Sequence, residues 1–283
     1  MKQALLVLFA MCAFAANSIL NRAGVGGATD PLTFALVRVW SGAAMLALVV
    51  VLRGGRLQLL APRRAGGALA LVVYLVGFSL AYLRLDAGLG ALILFATVQL
   101  GLFALALRGP DPVGLRQVSG MVLALAGLVW LLWPGGTVAV DPASAALMIA
   151  AGLGWAAYTA LGKGATAPLQ DTAGNFFLAA LAMVPLILLG PGWDARGLGL
   201  AVLSGALASG LGYAVWYAVL PGLGTMQAGV AQLSVPVLAI LGGAALLGEA
   251  VTAQILMASA LVLGGIGLSV LGRSQRRIGS NGS

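Results

Sequence analysis

The chain has 283 residues, of which 61% are hydrophobic and only 8% are charged, and its formal net charge is +8. A soluble domain cannot cover its surface with so few charged side chains, so the composition excludes a soluble enzyme and predicts an all-α integral membrane protein. The chain contains one cysteine, Cys12, and no histidine. These counts exclude a disulfide framework and leave few ligands for a metal site, so no metal and no cofactor are expected.

Ten strongly apolar stretches follow one another, each close to the roughly 20 residues that a helix needs to cross a hydrocarbon core of about 30 Å. Their predicted bounds are 4–21, 31–52, 66–83, 87–107, 113–133, 142–161, 172–190, 198–219, 223–247 and 252–271. The connections between them are too short for a soluble domain, so the chain is predicted to be one membrane unit. Residues 273–283 are expected to form a cytoplasmic tail, with residues 279–283 unstructured.

The second half of the chain repeats the pattern of the first half. A shift of 141 residues, for example, places Arg22 over Lys163. Because each half holds an odd number of spans, the second half must cross the bilayer in the opposite sense. The sequence therefore predicts ten transmembrane helices in two inverted-topology five-helix repeats, residues 1–135 and 136–272. Carriers that work by alternating access are built in this way, with the substrate near the midplane between the repeats.

Positive charges are distributed unequally between the two sides of the predicted bundle. With the N-terminus on the cytoplasmic side, eleven Lys and Arg residues fall on that side and only Arg22, Arg84 and Arg196 on the other. Cytoplasmic loops of membrane proteins carry such an excess. The sequence thus predicts a multi-pass protein of the bacterial inner (plasma) membrane with both termini cytoplasmic. The basic balance is explained by this topology and by contact with anionic lipid, so no nucleic-acid partner is expected.

Several short motifs recur in a characteristic order along the ten spans. They are Asp30–Thr33 followed by Arg38, Ala81–Leu83, Ala124–Gly127, Pro236 followed by Leu247–Glu249, and Gly264–Gly267. In this order they resemble the EamA branch of the drug/metabolite transporter superfamily, and the overall pattern is similar to that of the YddG-type aromatic amino acid exporters. The resemblance implies a ten-helix inner-membrane carrier that exports amino acids, related metabolites or toxic organic compounds. In the loop between the fourth and fifth spans, this chain has Arg108–Asp111 where such proteins often have Leu-Gly-Glu.

Few polar side chains lie within the spans, and those on helix faces that line the bundle interior are candidates for substrate binding. The polar candidates are Asn17, Arg38, Gln99, Gln227 and Gln232. Arg38 lies seven residues after Pro31, which is about 10 Å along a helix. It has two interpretations: its guanidinium binds a substrate carboxylate, or it snorkels or pairs with backbone carbonyls and Asn17 to stabilise its helix.

Pro236 follows Gln232 by four residues. Since proline has no N–H, it leaves the carbonyl of Gln232 without its helical partner. That carbonyl and the Gln232 side chain form either a cradle for an ammonium or amide group or only a kink.

Aromatic residues repeat at helical spacing in both halves. The aromatic candidates for the substrate site are Tyr74, Phe78, Tyr82, Trp155, Tyr158, Tyr213, Trp216 and Tyr217. Such stripes often serve only to pack against neighbouring helices, but a Tyr hydroxyl deep in the membrane needs a polar partner. If both stripes face the interior, they line a cavity whose flat walls suit planar or amphipathic solutes and cation–π contact with an amino group.

We therefore interpret the chain as a monomeric carrier, not an enzyme, whose partners are a small-molecule substrate and membrane lipid. It is expected to export small amphipathic metabolites, chiefly aromatic and other neutral amino acids. No Asp or Glu lies in the middle of a span, so a facilitative mechanism is favoured over proton antiport through Glu249 or Asp86. Three less favoured functions stay open: a nucleotide-sugar or phosphate-metabolite carrier, which needs more deep cations than Arg38, a passive channel or lipid scrambler, and an intramembrane enzyme.

Overall fold

The structure, a computed structural model, describes residues 2–59, 64–109, 113–133, 136, 138–163, 165–189, 192–223 and 225–280. For residues 187, 225, 226 and 272–280 it describes the backbone alone. All regular secondary structure in these residues is helical. Nine helices in this part of the chain are long and apolar enough to cross a membrane.

The first half forms five helices. They are α1 (Lys2–Val25), α2 (Pro31–Leu52), α3 (Arg64–Ala81), α4 (Ala87–Ala106) and α5 (Leu115–Leu132). Asp30 begins α2 as a capping residue, because its carboxylate accepts a hydrogen bond of 2.8 Å from the backbone N–H of Leu32. Pro31 follows at the first helical position, where a missing N–H costs nothing.

The second half contains more interruptions. Its elements are α6 (Pro142–Leu161), α7 (Pro168–Met183), a 3-10 segment (Val184–Leu188), α8 (Ala195–Leu203), a π-helical segment (Ser204–Leu211), α9 (Gly212–Val219), a 3-10 turn (Leu220–Gly222), α10 (Thr225–Gln232), α11 (Ser234–Leu247) and α12 (Ala253–Ser280). Asp141 caps α6 as Asp30 caps α2, by accepting a bond of 2.9 Å from the N–H of Ser144. This hydrogen bond also lowers the pKa of the Asp141 carboxyl.

Three predicted helical segments differ in continuity or length from the observed ones. The predicted span 172–190 is not one continuous α-helix, because α7 ends at Met183 and Pro185 lies in the 3-10 segment that follows. The predicted span 223–247 is divided between α10 and α11. The predicted tail begins as helix, because α12 continues to Ser280 with no proline to stop it. The end of that tail (281–283) and the part of the loop between α4 and α5 that holds Asp111 lie outside the described residues.

Short loops and interhelical bonds define the two ends of the bundle. At one end, Thr29 contacts Asp194 at 2.5 Å and Glu249 accepts a bond of 2.7 Å from the N–H of Ala87. We call this end the Glu249 face. At the other end, Arg64 and Asp171 form an ion pair of 2.8 Å at the start of α3 and α7. We call that end the Lys2 face, since α1 begins there.

Helices from the two halves pack against each other in reciprocal pairs. The first half's α3 packs on α6, and α1 packs on α8, the π-helical segment and α9. Likewise α4 packs on α6 and α1 on α11, while α5 packs on α12. Glycines allow the closest of these approaches, as at the crossing of α5 and α12 near Gly120 and Gly265.

Substitution of Gly265 by leucine is expected to destabilise the folded protein by about 2 kcal/mol or more, a typical cost of overpacking. A Cβ at this position would lie 2.6 Å from the backbone nitrogen of Ala124, which cannot move without shifting α5. The neighbouring Gly264 is exposed and has open space around it, so Gly264→Leu is the matched control. Thermal unfolding of the detergent-purified variants measures the difference. Equal melting temperatures for the two variants would contradict the packing assigned to α5 and α12.

Candidate functional site

The two aromatic stripes meet in a single column of rings. From the Glu249 face towards the Lys2 face, the column is formed by Tyr82, Phe78, Tyr74, Trp155, Tyr213 and Tyr217. Successive ring centroids lie 4.7, 5.3, 4.9, 5.4 and 6.5 Å apart. Both stripes therefore face the interior of the bundle and each other. Trp155 joins them, since its ring contacts Tyr74 on one side and is stacked on Tyr213 at 20° on the other.

Tyr158 and Trp216 lie beside this column. The Tyr158 ring contacts Trp155 at 5.3 Å, and its hydroxyl is bonded at 3.0 Å to Thr172, which is bonded at 3.2 Å to the hydroxyl of Tyr217. These bonds supply the polar partners that buried Tyr hydroxyls need. Trp216 instead points to α1, where it packs edge-on against Phe14. Trp216 thus supports the column from outside rather than extending it.

A partly open cavity of about 440 Å³ lies in the half of the bundle nearer the Lys2 face. It is lined by Val98, Gln99, Leu102, Trp155, Thr159, Leu220, Leu223, Ala228, Gly229 and Gln232. Three of the predicted site residues, Gln99, Trp155 and Gln232, are therefore brought together here. Gln227 is not among the lining residues and is exposed on α10. Trp155 belongs to both the cavity wall and the aromatic column, so the cavity meets the column at its middle.

The helix that carries Gln232 is broken beside the cavity. Leu233 separates α10 from α11, and Pro236 lies in the first turn of α11. This confirms that Pro236 interrupts the predicted span, because the turn before a proline has lost a hydrogen-bond donor. The hydroxyl of Ser234 donates a bond of 2.6 Å to the carbonyl of Ala231 at this break. Gln232 therefore presents its side chain to the cavity from a helix end.

Arg38 is fully buried against the middle of the column. Its Nη2 donates a bond of 2.8 Å to the hydroxyl of Tyr74, and its Nε lies 3.4 Å from the hydroxyl oxygen of Ser209. The guanidinium carbon lies 4.8 Å from the Phe78 ring centroid and 5.3 Å from that of Tyr74. The interpretation that Arg38 snorkels to a bundle end is therefore wrong. Desolvated cation–π contacts of this kind stabilise a guanidinium by about 2 kcal/mol.

A polar network connects Arg38 to α1 and to the π-helical segment. The Oδ1 of Asn17 accepts bonds from the hydroxyls of Ser204 at 2.8 Å and Ser209 at 3.2 Å. Asn17 thus reaches Arg38 through Ser209, whereas one of the interpretations of the sequence had Asn17 pair with Arg38 directly. The π-helical geometry brings both serines towards Asn17, and Gly205 between them lets α2 approach closely at the backbone of Arg38. Such segments are frequent at functional sites.

A second polar cluster closes the Glu249 face. The Glu249 carboxylate accepts bonds of 2.7 and 3.4 Å from the N–H groups of Ala87 and Gly88, at the start of α4. Arg22 donates bonds to the carbonyls of Tyr82 and Leu83 and lies 3.9 Å from Glu249. The Glu249 side chain is only 10% exposed, and this burial raises the pKa of its carboxyl, which lies in the loop between α11 and α12.

Comparison with known proteins decides the class of this chain. The model of the EamA-like transporter family matches residues 143–271. An uncharacterized protein of Pseudomonas aeruginosa, PA1977, is 48% identical over 282 residues that cover 96% of both chains. The threonine/homoserine exporter RhtA of Salmonella typhimurium is 34% identical over 199 residues, 64% of this chain and 66% of RhtA. The chain belongs to the EamA-like transporter family.

The fold agrees with this assignment. A solved crystal structure superposes on this EamA-like transporter with a TM-score of 0.69, at 19% sequence identity, over 96% of this chain and 99% of that one. As a member of this family, the chain is a multi-pass membrane protein and a transporter. Its family also matches the resemblance that the motifs from Asp30 to Gly267 indicated.

Sequence reasoning missed two parts of this EamA-like transporter. It did not select Ser204 and Ser209 from the predicted span 198–219, although the small residues between Ser204 and Gly210, interrupted only by Leu207, favour close helix packing. It also did not place Glu249 on the N-terminus of α4. That contact joins residues 162 positions apart, and no local sequence pattern predicts it.

Proposed function

We propose that this EamA-like transporter exports small amphipathic metabolites by alternating access, with aromatic and other neutral amino acids as its substrates. The observation that carries the proposal is the position of Trp155, which forms part of the cavity wall and of the ring column. A solute in the cavity meets a continuous path of aromatic faces, and these suit an apolar or aromatic side chain and an amino group. The name of RhtA, a threonine/homoserine exporter, supports an amino acid as the substrate class.

Alternating access requires two units that rock about the site. In the proposed arrangement, residues 1–135 and 136–272 are inverted five-helix repeats, and α7 with its 3-10 segment forms one of ten crossings. The reciprocal packing of α3 on α6 and of α1 on the α8–α9 region supports this arrangement, since inverted repeats exchange equivalent contacts. Both proposed repeats belong to one chain, so we propose that this chain functions as a monomer in lipid.

The Lys2 face is proposed to be cytoplasmic, in the inner membrane of a bacterium. Arg53, Arg56 and Lys163 lie at this end, whereas the opposite end holds fewer cations, and cytoplasmic ends of membrane proteins carry the positive excess. On this orientation the cavity accepts solute from the cytoplasm. The ring column and the Glu249 cluster then close the path to the outside, as expected of a carrier in an inward-open state.

Counterflow in proteoliposomes tests the proposal. Vesicles preloaded with unlabelled phenylalanine, tryptophan, threonine or a UDP-sugar take up the corresponding labelled solute, with and without a pH step. We expect accelerated uptake of phenylalanine and tryptophan that saturates with concentration and does not require the pH step. Uptake of the UDP-sugar alone, or flux without saturation, would contradict an amino acid carrier and favour a phosphate-metabolite carrier or a pore.

Replacement of Gln232 by alanine is expected to reduce this counterflow about tenfold. The variant removes an amide that lines the cavity and can bond a solute's polar group, and one such bond accounts for about 1–1.5 kcal/mol. Val230 on the same helix is 47% exposed, so Val230→Ala is the matched control and should retain the wild-type rate. Initial rates at equal protein density in the vesicles provide the comparison. A Gln232→Ala rate equal to that of the control would remove Gln232 from the site.

A further inference from the structure

We infer that Arg38 binds the carboxylate of the transported solute once the solute has passed Trp155. The substrates are then small carboxylates with an apolar or aromatic body, and amines or alcohols of the same shape are poor substrates. The inference rests on the proposed function, because it assigns a substrate class to the same pathway.

The guanidinium of Arg38 has an unused donor. Its relative exposure is 0%, and in the described part of the chain no atom accepts a hydrogen bond from its Nη1. The contacts with Ser209, at 3.4 Å from Nε and 3.5 Å from Nη2, are longer than a typical N–H···O hydrogen bond of about 2.9 Å. A carboxylate would fill the free position at Nη1 and would form the short, charge-assisted bonds that a guanidinium favours.

The positive charge of Arg38 is also unbalanced. None of the carboxylates in the described residues forms an ion pair with it. Arg64 provides the contrast within the same protein, because this buried arginine is paired with Asp171 at 2.8 Å. A purely structural arginine is expected to resemble Arg64, since an isolated buried charge is costly. Arg38 instead remains short of one anion, which a substrate carboxylate supplies.

Tyr74 connects this charge to the cavity. Its hydroxyl is bonded to Arg38, and its ring contacts Trp155, which lines the cavity wall. A solute in the cavity therefore reaches Nη1 only after the Trp155 and Tyr74 rings move aside. The solute then binds at two successive sites. The first is the cavity beside Gln232. The second is enclosed by the rings, and there the carboxylate contacts Arg38 and the apolar body packs among the rings.

Competition with phenylalanine analogues tests the inference on the wild-type protein. Phenylalaninol and phenethylamine lack the carboxylate, whereas 3-phenylpropionate keeps it and lacks the amino group. We expect 3-phenylpropionate to inhibit labelled phenylalanine counterflow, and the two analogues without a carboxylate to be about tenfold weaker or worse. Equal inhibition by phenylalaninol and phenylalanine would overturn the role of Arg38. Absence of phenylalanine counterflow in every condition would instead overturn the proposed function itself.

Variants of Arg38 supply an independent measurement. Arg38→Lys keeps the charge and Arg38→Gln removes it, while Arg84→Gln removes a largely exposed cation and is the control. We expect the thermal stabilisation by 3-phenylpropionate that wild type and Arg84→Gln show to be reduced in Arg38→Lys and lost in Arg38→Gln. Retained stabilisation in a folded Arg38→Gln protein would overturn the inference. If Arg38→Gln does not fold, the analogue series and Arg38→Lys still decide the question.

Discussion

Replacement of Trp155 by alanine is expected to reduce phenylalanine counterflow at least tenfold while leaving the protein folded in the membrane. Trp155 is the ring that joins the two halves of the column, with centroids of Tyr74 and Tyr213 at 4.9 and 5.4 Å. Each aromatic pair contributes about 0.5–1.5 kcal/mol beyond the area it buries. A solute that crosses the column loses this stacking surface at the midpoint of its path, so the barrier to translocation rises.

A second variant tests whether transport requires the full size of the tryptophan side chain or only an aromatic face. Trp155→Phe keeps a flat face towards Tyr213 and should retain transport within about threefold of wild type. Trp193, on the Glu249 face, is 62% exposed, so Trp193→Ala controls for the loss of a tryptophan elsewhere. Initial counterflow rates at equal density in the vesicles are the measurement. A Trp155→Ala protein that transports phenylalanine at the wild-type rate would show that the column is packing alone.

Helical spacing explains why the column could be predicted. Tyr74 and Phe78 are four residues apart, as are Tyr213 and Tyr217, so each pair must share one helix face. Tyr hydroxyls find partners in the interior of a bundle, which favoured inward-facing stripes, but the direction of both faces was an assumption that only the ring contacts decide. The position of Arg38 within α2 was likewise set by its distance from Pro31.

The parts that could not be predicted depend on how helices pack. Trp216 lies between Tyr213 and Tyr217 in sequence, and only the path of α1 beside α9 shows that it packs on Phe14 rather than in the column. Gln227 shares α10 with Gln232 but is exposed and is not among the residues that line the cavity, and only the position of the cavity shows this. Local sequence predicts which residues share a helix face, whereas the residues that they contact on other helices are known only from the fold.

Removal of the Glu249 side chain is expected to open the Glu249 face. Glu249 accepts two hydrogen bonds from the first turn of α4 and thereby ties the second half of the chain to the first. In Glu249→Ala, the N–H groups of Ala87 and Gly88 lose these acceptors, at a cost of about 1–3 kcal/mol to the closed arrangement. That cost corresponds to an increase of about 5- to 150-fold in the fraction of open protein.

Glu249→Gln is expected to behave differently, because its amide oxygen still accepts from Ala87 without a charge. Burial raises the pKa of the Glu249 carboxyl in the closed arrangement, and opening returns it to water and to its ordinary pKa. The closed form therefore binds a proton more tightly, and its stabilisation is complete below the ordinary pKa of Glu249. The stabilisation is lost as the pH rises through the raised value. Arg22 and Asp86 are the charged groups facing Glu249, and glutamine should abolish this pH dependence.

Labelling of a cysteine beneath the cluster measures this opening. Ser79 is fully buried and bonded to Asn21, so Ser79→Cys in a Cys12→Ser background reports access from the Glu249 face to an impermeant maleimide. At a given pH, labelling should be about tenfold faster with Glu249→Ala than with Glu249 intact. Because maleimide reacts with the thiolate, whose fraction rises with pH, each rate is divided by the rate of Glu249→Gln at the same pH. With Glu249 intact this ratio should be higher at pH 8 than at pH 5. Asp86→Ala, which removes a more exposed carboxylate from the same face, should leave labelling near the Glu249-intact rate. Labelling of Glu249→Ala no faster than that of Asp86→Ala would mean that Glu249 does not hold this face shut.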